Sequence, residues 1–142
     1  MDRKKILNLL LLVFWLLIIF YFSNQPGNSS SYLSDNLTLL IFNDISNLLI
    51  FIVRKIAHIS EFFILTLLIY NVLKDYVDFK KSCLFSFVFS VLYSISDELH
   101  QLFVVGRECL LRDVFIDGIG IILALIIIFF IKHYKSKRRI KY

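Results

Sequence analysis

The sequence has one proline, four glycines and two cysteines in 142 residues, and these scarcities narrow the field. No internal repeat or low-complexity linker interrupts it, so a single domain over residues 1–142 is expected. There is no HExxH pair, no nucleophile elbow and no glycine loop built to cradle phosphates. The local signatures of zinc hydrolases, serine hydrolases and nucleotide-binding enzymes are thereby absent. The basic run from Lys132 to Lys141 has no aromatic stacking platform beside it, which argues against a nucleic-acid partner.

What is abundant is apolar surface. The chain is 58% hydrophobic and 16% aromatic, too much for a soluble domain of this size to hide. Lipid solves that problem by acting as the solvent. A hydrocarbon core of about 30 Å needs ~20 mostly apolar residues per helix. Hydropathy marks four such spans, at roughly Ile6–Phe22, Lys55–Leu73, Ser82–Leu102 and Val114–Ile131. They define a core of residues 6–131 followed by a basic tail, 132–142. The first span follows Arg3, Lys4 and Lys5, but no small-residue cleavage site comes after it, so it reads as a retained helix.

Lysine and arginine set the expected orientation. With the N-terminus, the Lys74–Lys81 loop and the C-terminal tail in the cytoplasm, that side holds twelve basic residues. The other side holds only Arg54, Lys55, Arg107 and Arg112. The acids divide the opposite way: Asp35, Asp44, Glu61, Asp97, Glu98, Glu108, Asp113 and Asp117 all fall in the outer half. The formal charge of +5 is therefore a topology signal, and most of the unusual polar chemistry is outside.

Residues 37–53 are apolar enough to be counted as a fifth span. However, Asn36, Asn43, Asn47 and Arg54 recur on one helical face, and a fifth crossing would put the basic tail outside. The expectation is an amphipathic helix lying in the outer interface. The fold class is thus all-α: four transmembrane helices plus that interfacial helix. On this topology Cys83 and Cys109 lie at opposite faces, too far apart for a disulfide.

Ionisable groups at helix depth are costly and usually face a bundle interior or a water-filled cavity. Here they form stripes. Arg54, Ala57, His58 and Glu61 share a face of the second span. Ser82, Ser86, Ser90, Ser94, Asp97 and Gln101 run along the third, with His100 at the edge. Asp113, Asp117, Gly120 and Ala124 line the fourth. Each stripe carries its charge at the outer end, so convergence is expected. Simpler roles stand beside the functional one. Basic side chains near helix ends snorkel, Asp113 suits an N-terminal cap, and Arg107 or Lys55 with Asp97 would make a structural ion pair.

Two chemistries fit the stripes. His58 with Glu61 and Asp97 with His100, each three apart, would supply a two-helix divalent metal site, although that spacing is common by chance. No metal or other cofactor is predicted from it. Alternatively, His58 is a candidate base, Asp97 and Glu98 its acid–base partners, and Ser23 and Ser94 candidate hydroxyls.

Three motifs stand out: Phe22-Ser23-Asn24-Gln25-Pro26 with serines at 29–31 and 34, Arg54-Lys55-Ile56-Ala57-His58-Ile59-Ser60-Glu61-Phe62, and Ser96-Asp97-Glu98-Leu99-His100-Gln101. The last continues through Gly106-Arg107 to Arg112-Asp113 and Asp117-Gly118-Ile119-Gly120. Together they resemble the VanZ-like family of bacterial membrane proteins. Four positions depart from the family pattern. Val105 stands where proline is frequent, Glu108-Cys109 replaces small residues, and Phe62 stands where tyrosine is frequent.

The resemblance implies a multi-pass protein of the bacterial cytoplasmic membrane, associated with the cell envelope and, through the family's namesake, with teicoplanin resistance. It implies motif positions at Ser23, Gln25, Lys55, His58, Glu61, Asp97, Glu98, Gln101, Arg107, Asp113 and Asp117. The expected role is binding of a membrane lipid or lipid-linked envelope precursor by its head group. Arg107 and Lys55 would contact phosphate or carboxylate, and the acids would orient His58. A membrane-embedded hydrolase or transferase is the alternative, and a homo-oligomer is left open.

Overall fold

The computed structural model describes residues 2–26, 47–107 and 109–139 of the chain, with the side chains of 47–51, 138 and 139 set aside. These residues form four helices: α1 (Arg3–Ser23), α2 (Asn47–Leu73), α3 (Phe79–Gln101) and α4 (Leu111–Arg139). No strand occurs among them. Each helix is long and apolar enough to cross a membrane, and the protein is a multi-pass membrane protein.

The helix ends follow local chemistry. Asp2 starts α1 by accepting from the Lys4 N–H, and Asp78 starts α3 by accepting from the Lys81 N–H at 3.0 Å. Asp113 lies in the first turn of α4, where the helix dipole favours an acid. After α3, the Arg107 N–H closes a turn onto the Val104 carbonyl, with Gly106 at φ 76°. That is the geometry of a type II turn, which needs glycine at its third position and favours proline at its second. Val105 occupies the second position, so the turn forms without the proline.

α2 begins well before the expected second span. Its 27 residues include Asn47–Val53, which continue directly into the membrane helix and do not form a separate segment. The rest of the expected interfacial helix, with Asn36 and Asn43, lies outside the described residues. α4, at 29 residues, is about 43 Å long at 1.5 Å per residue. That exceeds a ~30 Å hydrocarbon core by more than two turns. The excess is the basic segment after Ile131.

The chain runs up and down, so α2 and α4 are parallel and α1 and α3 oppose them. α2 is the centre of the bundle and packs most extensively against α4. Gly120 makes this possible: an added Cβ would collide with the Ile59 carbonyl and come within 3.1 Å of the Phe63 nitrogen. The apolar core is Ile19, Phe62, Leu65, Ile69 and Ile121, edged by Trp15, Leu16 and Tyr93. Phe62 is fully buried there, which suits a ring without a hydroxyl.

The serine stripe of α3 faces inward. Ser82, Ser86, Ser90 and Ser94 are all completely buried. Ser86 donates to the Ser82 carbonyl, and the Ser90 hydroxyl meets that of Thr66 on α2 at 2.9 Å. Trp15 Nε1 donates to the Glu61 carbonyl at 3.0 Å, and the Tyr93 hydroxyl to the Leu16 carbonyl at 3.1 Å, pinning α1 to its neighbours. The outward faces remain apolar. Phe14, Leu17, Phe115, Ile122 and Phe130 are all exposed, as side chains bathed in acyl chains would be.

Candidate functional site

The ends of the helices opposite the basic tail gather the charged groups. From α1 come Ser23 and, just beyond it, Gln25; from α2, Lys55, His58 and Glu61. From α3 come Ser94, Asp97, Glu98 and Gln101, and from α4, Asp113 and Asp117. Arg107 joins them from the α3–α4 loop. Each motif position therefore sits at one end of the bundle. Ser23, His58, Asp97, Glu98, Gln101 and Asp117 are buried, and the others are at least partly covered.

Asp117 holds the α2–α3–α4 junction. Its Oδ2 accepts from the Ser94 hydroxyl at 2.7 Å, and its Oδ1 faces His58 Nδ1 at 3.4 Å. The aspartate thus stands between serine and histidine. A serine nucleophile needs the opposite order, with histidine touching the hydroxyl, so Ser94 is a strut for Asp117. His58 faces Asp117, whereas the sequence points to Glu61, Asp97 and Glu98 as the acids that orient it.

Lys55 is bound to Asp113 across the α2–α4 interface, and Arg112 Nε approaches the same carboxylate at 3.7 Å. Arg107 is engaged as well. Its Nε donates to the Gln25 carbonyl at 3.1 Å and a terminal nitrogen to the Phe22 carbonyl at 2.9 Å. These are carbonyls at the C-terminal end of α1, where a cation is favoured. Its other terminal nitrogen reaches Gln101 Oε1 at 3.5 Å, and Gln101 Nε2 donates to Asp97 Oδ2 at 3.0 Å. The expected Arg107–Asp97 pair is thus relayed through Gln101. Burial and nearby Arg54 pull the Arg107 guanidinium below its ordinary value, while Asp97, Glu61 and Glu98 oppose them. A guanidinium keeps its charge under such pressure.

Glu98 uses one oxygen, Oε2, to accept the Leu110 N–H at 3.0 Å, fixing the loop before α4. Among the described residues, neither its other oxygen nor the Ser23 hydroxyl beside Asp97 makes a regular hydrogen bond, and both are buried. Glu61 lies within electrostatic reach of His58, Asp97, Asp117 and Arg107. The centre thus combines five carboxylates with one histidine and the engaged cations Lys55, Arg107 and Arg112.

His100 diverges from this centre. Its ring packs against Phe20 of α1 with centroids 4.9 Å apart. Among the described residues, no three His, Cys, Asp or Glu side chains form a metal-holding group. The serines at 29–31 and 34, with Asp35, Asp44 and Glu108, lie outside the described residues.

Sequence spacing missed three groups that position the site. Trp15 fixes the backbone at Glu61, Thr66 meets the serine stripe, and the Phe22 carbonyl receives Arg107. An isolated tryptophan or threonine in an apolar helix reads as lipid-facing, and backbone acceptors leave no mark in a sequence.

Neither a curated protein nor a solved structure matches the chain. The family model described as VanZ/LLP1 matches residues 8–132, a stretch containing every motif position discussed above. The chain belongs to the VanZ/LLP1 family.

Proposed function

We propose that the charged end of the bundle binds the polar head group of a membrane lipid or lipid-linked envelope precursor. The protein would lie in the bacterial cytoplasmic membrane with both termini in the cytoplasm and this end toward the outer leaflet. Occupying an envelope head group there would limit the access of a lipid-anchored glycopeptide, the route by which a role in teicoplanin resistance would arise.

One observation carries the reading: among the described residues, Glu98 Oε1 and the Ser23 hydroxyl are buried without regular partners in the middle of a charged cluster. A buried acceptor left unpaired costs roughly 1–3 kcal/mol, more when charged, so a partner from outside is favoured. Lys55 and Arg107 already have protein partners, and the open Glu98 oxygen is an acceptor. A head group rich in hydroxyl or ammonium donors therefore fits better than a bare phosphate.

The test is lipid mass spectrometry on gently purified protein, comparing wild type with Glu98→Gln. Glutamine keeps the shape and an acceptor for the Leu110 N–H but removes the charge. The expected result is one head-group class retained by wild type and depleted in the variant at equal stability. Identical lipid profiles would refute the reading.

The enzymatic alternative has one feature in its favour. His58 backed by Asp117 at 3.4 Å resembles a base oriented by a carboxylate. Turnover of a lipid-linked substrate by purified protein, abolished in His58→Gln, would select it.

A further inference from the structure

The other end of the molecule has a groove of different chemistry. Between the last turns of α2 and the extended C-terminal part of α4 lies a groove of about 960 Å³, within the range of ligand pockets. Its floor is apolar, formed by Leu67, Ile127, Ile128 and Ile131, and its rim carries Lys74, Lys132 and Lys135 with Tyr70, Asn71 and Ser136. Among the described residues, no Asp or Glu lines it.

We infer that this groove holds one anionic phospholipid, its phosphate among Lys74, Lys132 and Lys135 and its acyl chains along Leu67, Ile127 and Ile131. Three observations select this occupant. First, the lining passes along α4 from apolar Ile127, Ile128 and Ile131 to Lys132 and Lys135, the order in which acyl chain and head group follow one another at a membrane surface. A free phosphate has no use for that floor. Second, two of the lysines are held in place. Lys74 Nζ donates to Asn71 Oδ1 at 2.6 Å, and Lys132 Nζ sits 3.8 Å from the centroid of the Phe79 ring. Asn71 and Phe79 are uncharged, so both ammonium charges remain available to an anion. Third, Lys135 is exposed and has no ion pair among the described residues. Basic pockets between membrane helices recognise anionic head groups through this combination.

The test is native mass spectrometry of the full chain in detergent, titrated with phosphatidylglycerol and, separately, with phosphatidylcholine of identical acyl chains. Wild type should prefer the anionic lipid. Each lysine near the surface contributes about fivefold in affinity, so Lys74→Gln with Lys135→Gln should weaken phosphatidylglycerol binding by about thirtyfold. Lys74→Arg with Lys135→Arg should retain it. Lys80→Gln with Lys81→Gln makes the same charge change outside the groove and should alter binding by less than about twofold, as expected for charges away from the contact. Excess inorganic phosphate should leave the lipid in place.

Equal binding of the two lipids would overturn the assignment, as would displacement by phosphate or an equal loss in the Lys80/Lys81 variant. Should the glutamine pair fail to fold, Ile131→Trp decides. It fills the floor from an exposed position and should reduce lipid retention, so unchanged retention would overturn the proposal.

Discussion

Two glycines two residues apart on α4 should respond oppositely to the same substitution. An added Cβ at Gly118 has nothing within 4 Å, so Gly118→Ala should gain helix propensity alone, up to about 1 kcal/mol. At Gly120 the added carbon meets the Ile59 carbonyl and the Phe63 nitrogen. These are backbone atoms and cannot turn aside as a side chain would, so α2 and α4 must separate. Overpacking of this kind costs about 1–3 kcal/mol, and an unyielding neighbour places it near the top of that range. Subtracting the helix gain leaves Gly120→Ala destabilised by about 2 kcal/mol. The contacts His58–Asp117 and Lys55–Asp113 cross the same interface, so head-group retention should fall with stability. Denaturation of the purified protein in mixed detergent micelles, followed by circular dichroism, gives both values. A Gly120→Ala protein as stable as wild type would refute the close α2–α4 approach on which the site's geometry rests.

Arg107→Ala removes two charge-assisted hydrogen bonds to the end of α1, and because the contact is partly exposed the expected loss is about 2 kcal/mol in the same assay. Arg107→Lys should recover less than half of it, since an ammonium cannot reproduce the planar fork. The Lys81 backbone N–H holds the Asp78 carboxyl below its usual value, so its cap contribution is complete above the unfolded value near 4 and lost as pH falls through the folded one. Asp78→Ala should therefore lower Tm equally at about pH 6 and 8, and the difference should close below about pH 4. Cys83 and Cys109 are both free thiols at opposite ends of α3 and the following loop. In intact cells a membrane-impermeant maleimide should label Cys109 and spare Cys83, and the reverse would invert the proposed orientation.

The spans were legible because membrane hydropathy is a sum over ~20 residues and tolerates local exceptions. The four-residue serine repeat was legible for a related reason: helical periodicity puts Ser82, Ser86, Ser90 and Ser94 on one line, and only a neighbouring helix can cover that line. Pairing between helices was less accessible. That His58 meets Asp117 rather than Asp97 depends on the relative height of α2, α3 and α4, which the Gly120 contact sets and no spacing within one helix encodes. Asp97 instead meets Gln101 one turn along its own helix, an i,i+4 contact the sequence did contain. The α2 start was hidden for another reason. Asn47 and Arg54 on one face mimic an interfacial helix, although Asn47–Val53 belongs to the same continuous helix as His58.

The bundle carries its own control for the meaning of its charges. Toward the basic end, α2, α3 and α4 pack through Thr66, Ser82, Ser86, Ser90, Ala124 and apolar side chains, with no ion pair among the described residues of the buried core. Small residues and hydroxyl contacts are thus enough to hold these helices together in lipid. At the other end the same helices bury Asp97, Glu98 and Asp117, each of which brings a desolvation cost of several kcal/mol when charged. Replacing buried ion pairs with apolar groups is often neutral or stabilising, so association alone does not require them. If packing were their purpose, Glu98→Gln would leave both stability and bound lipid unchanged. The unpartnered oxygen of Glu98 predicts that the lipid changes while the fold stays.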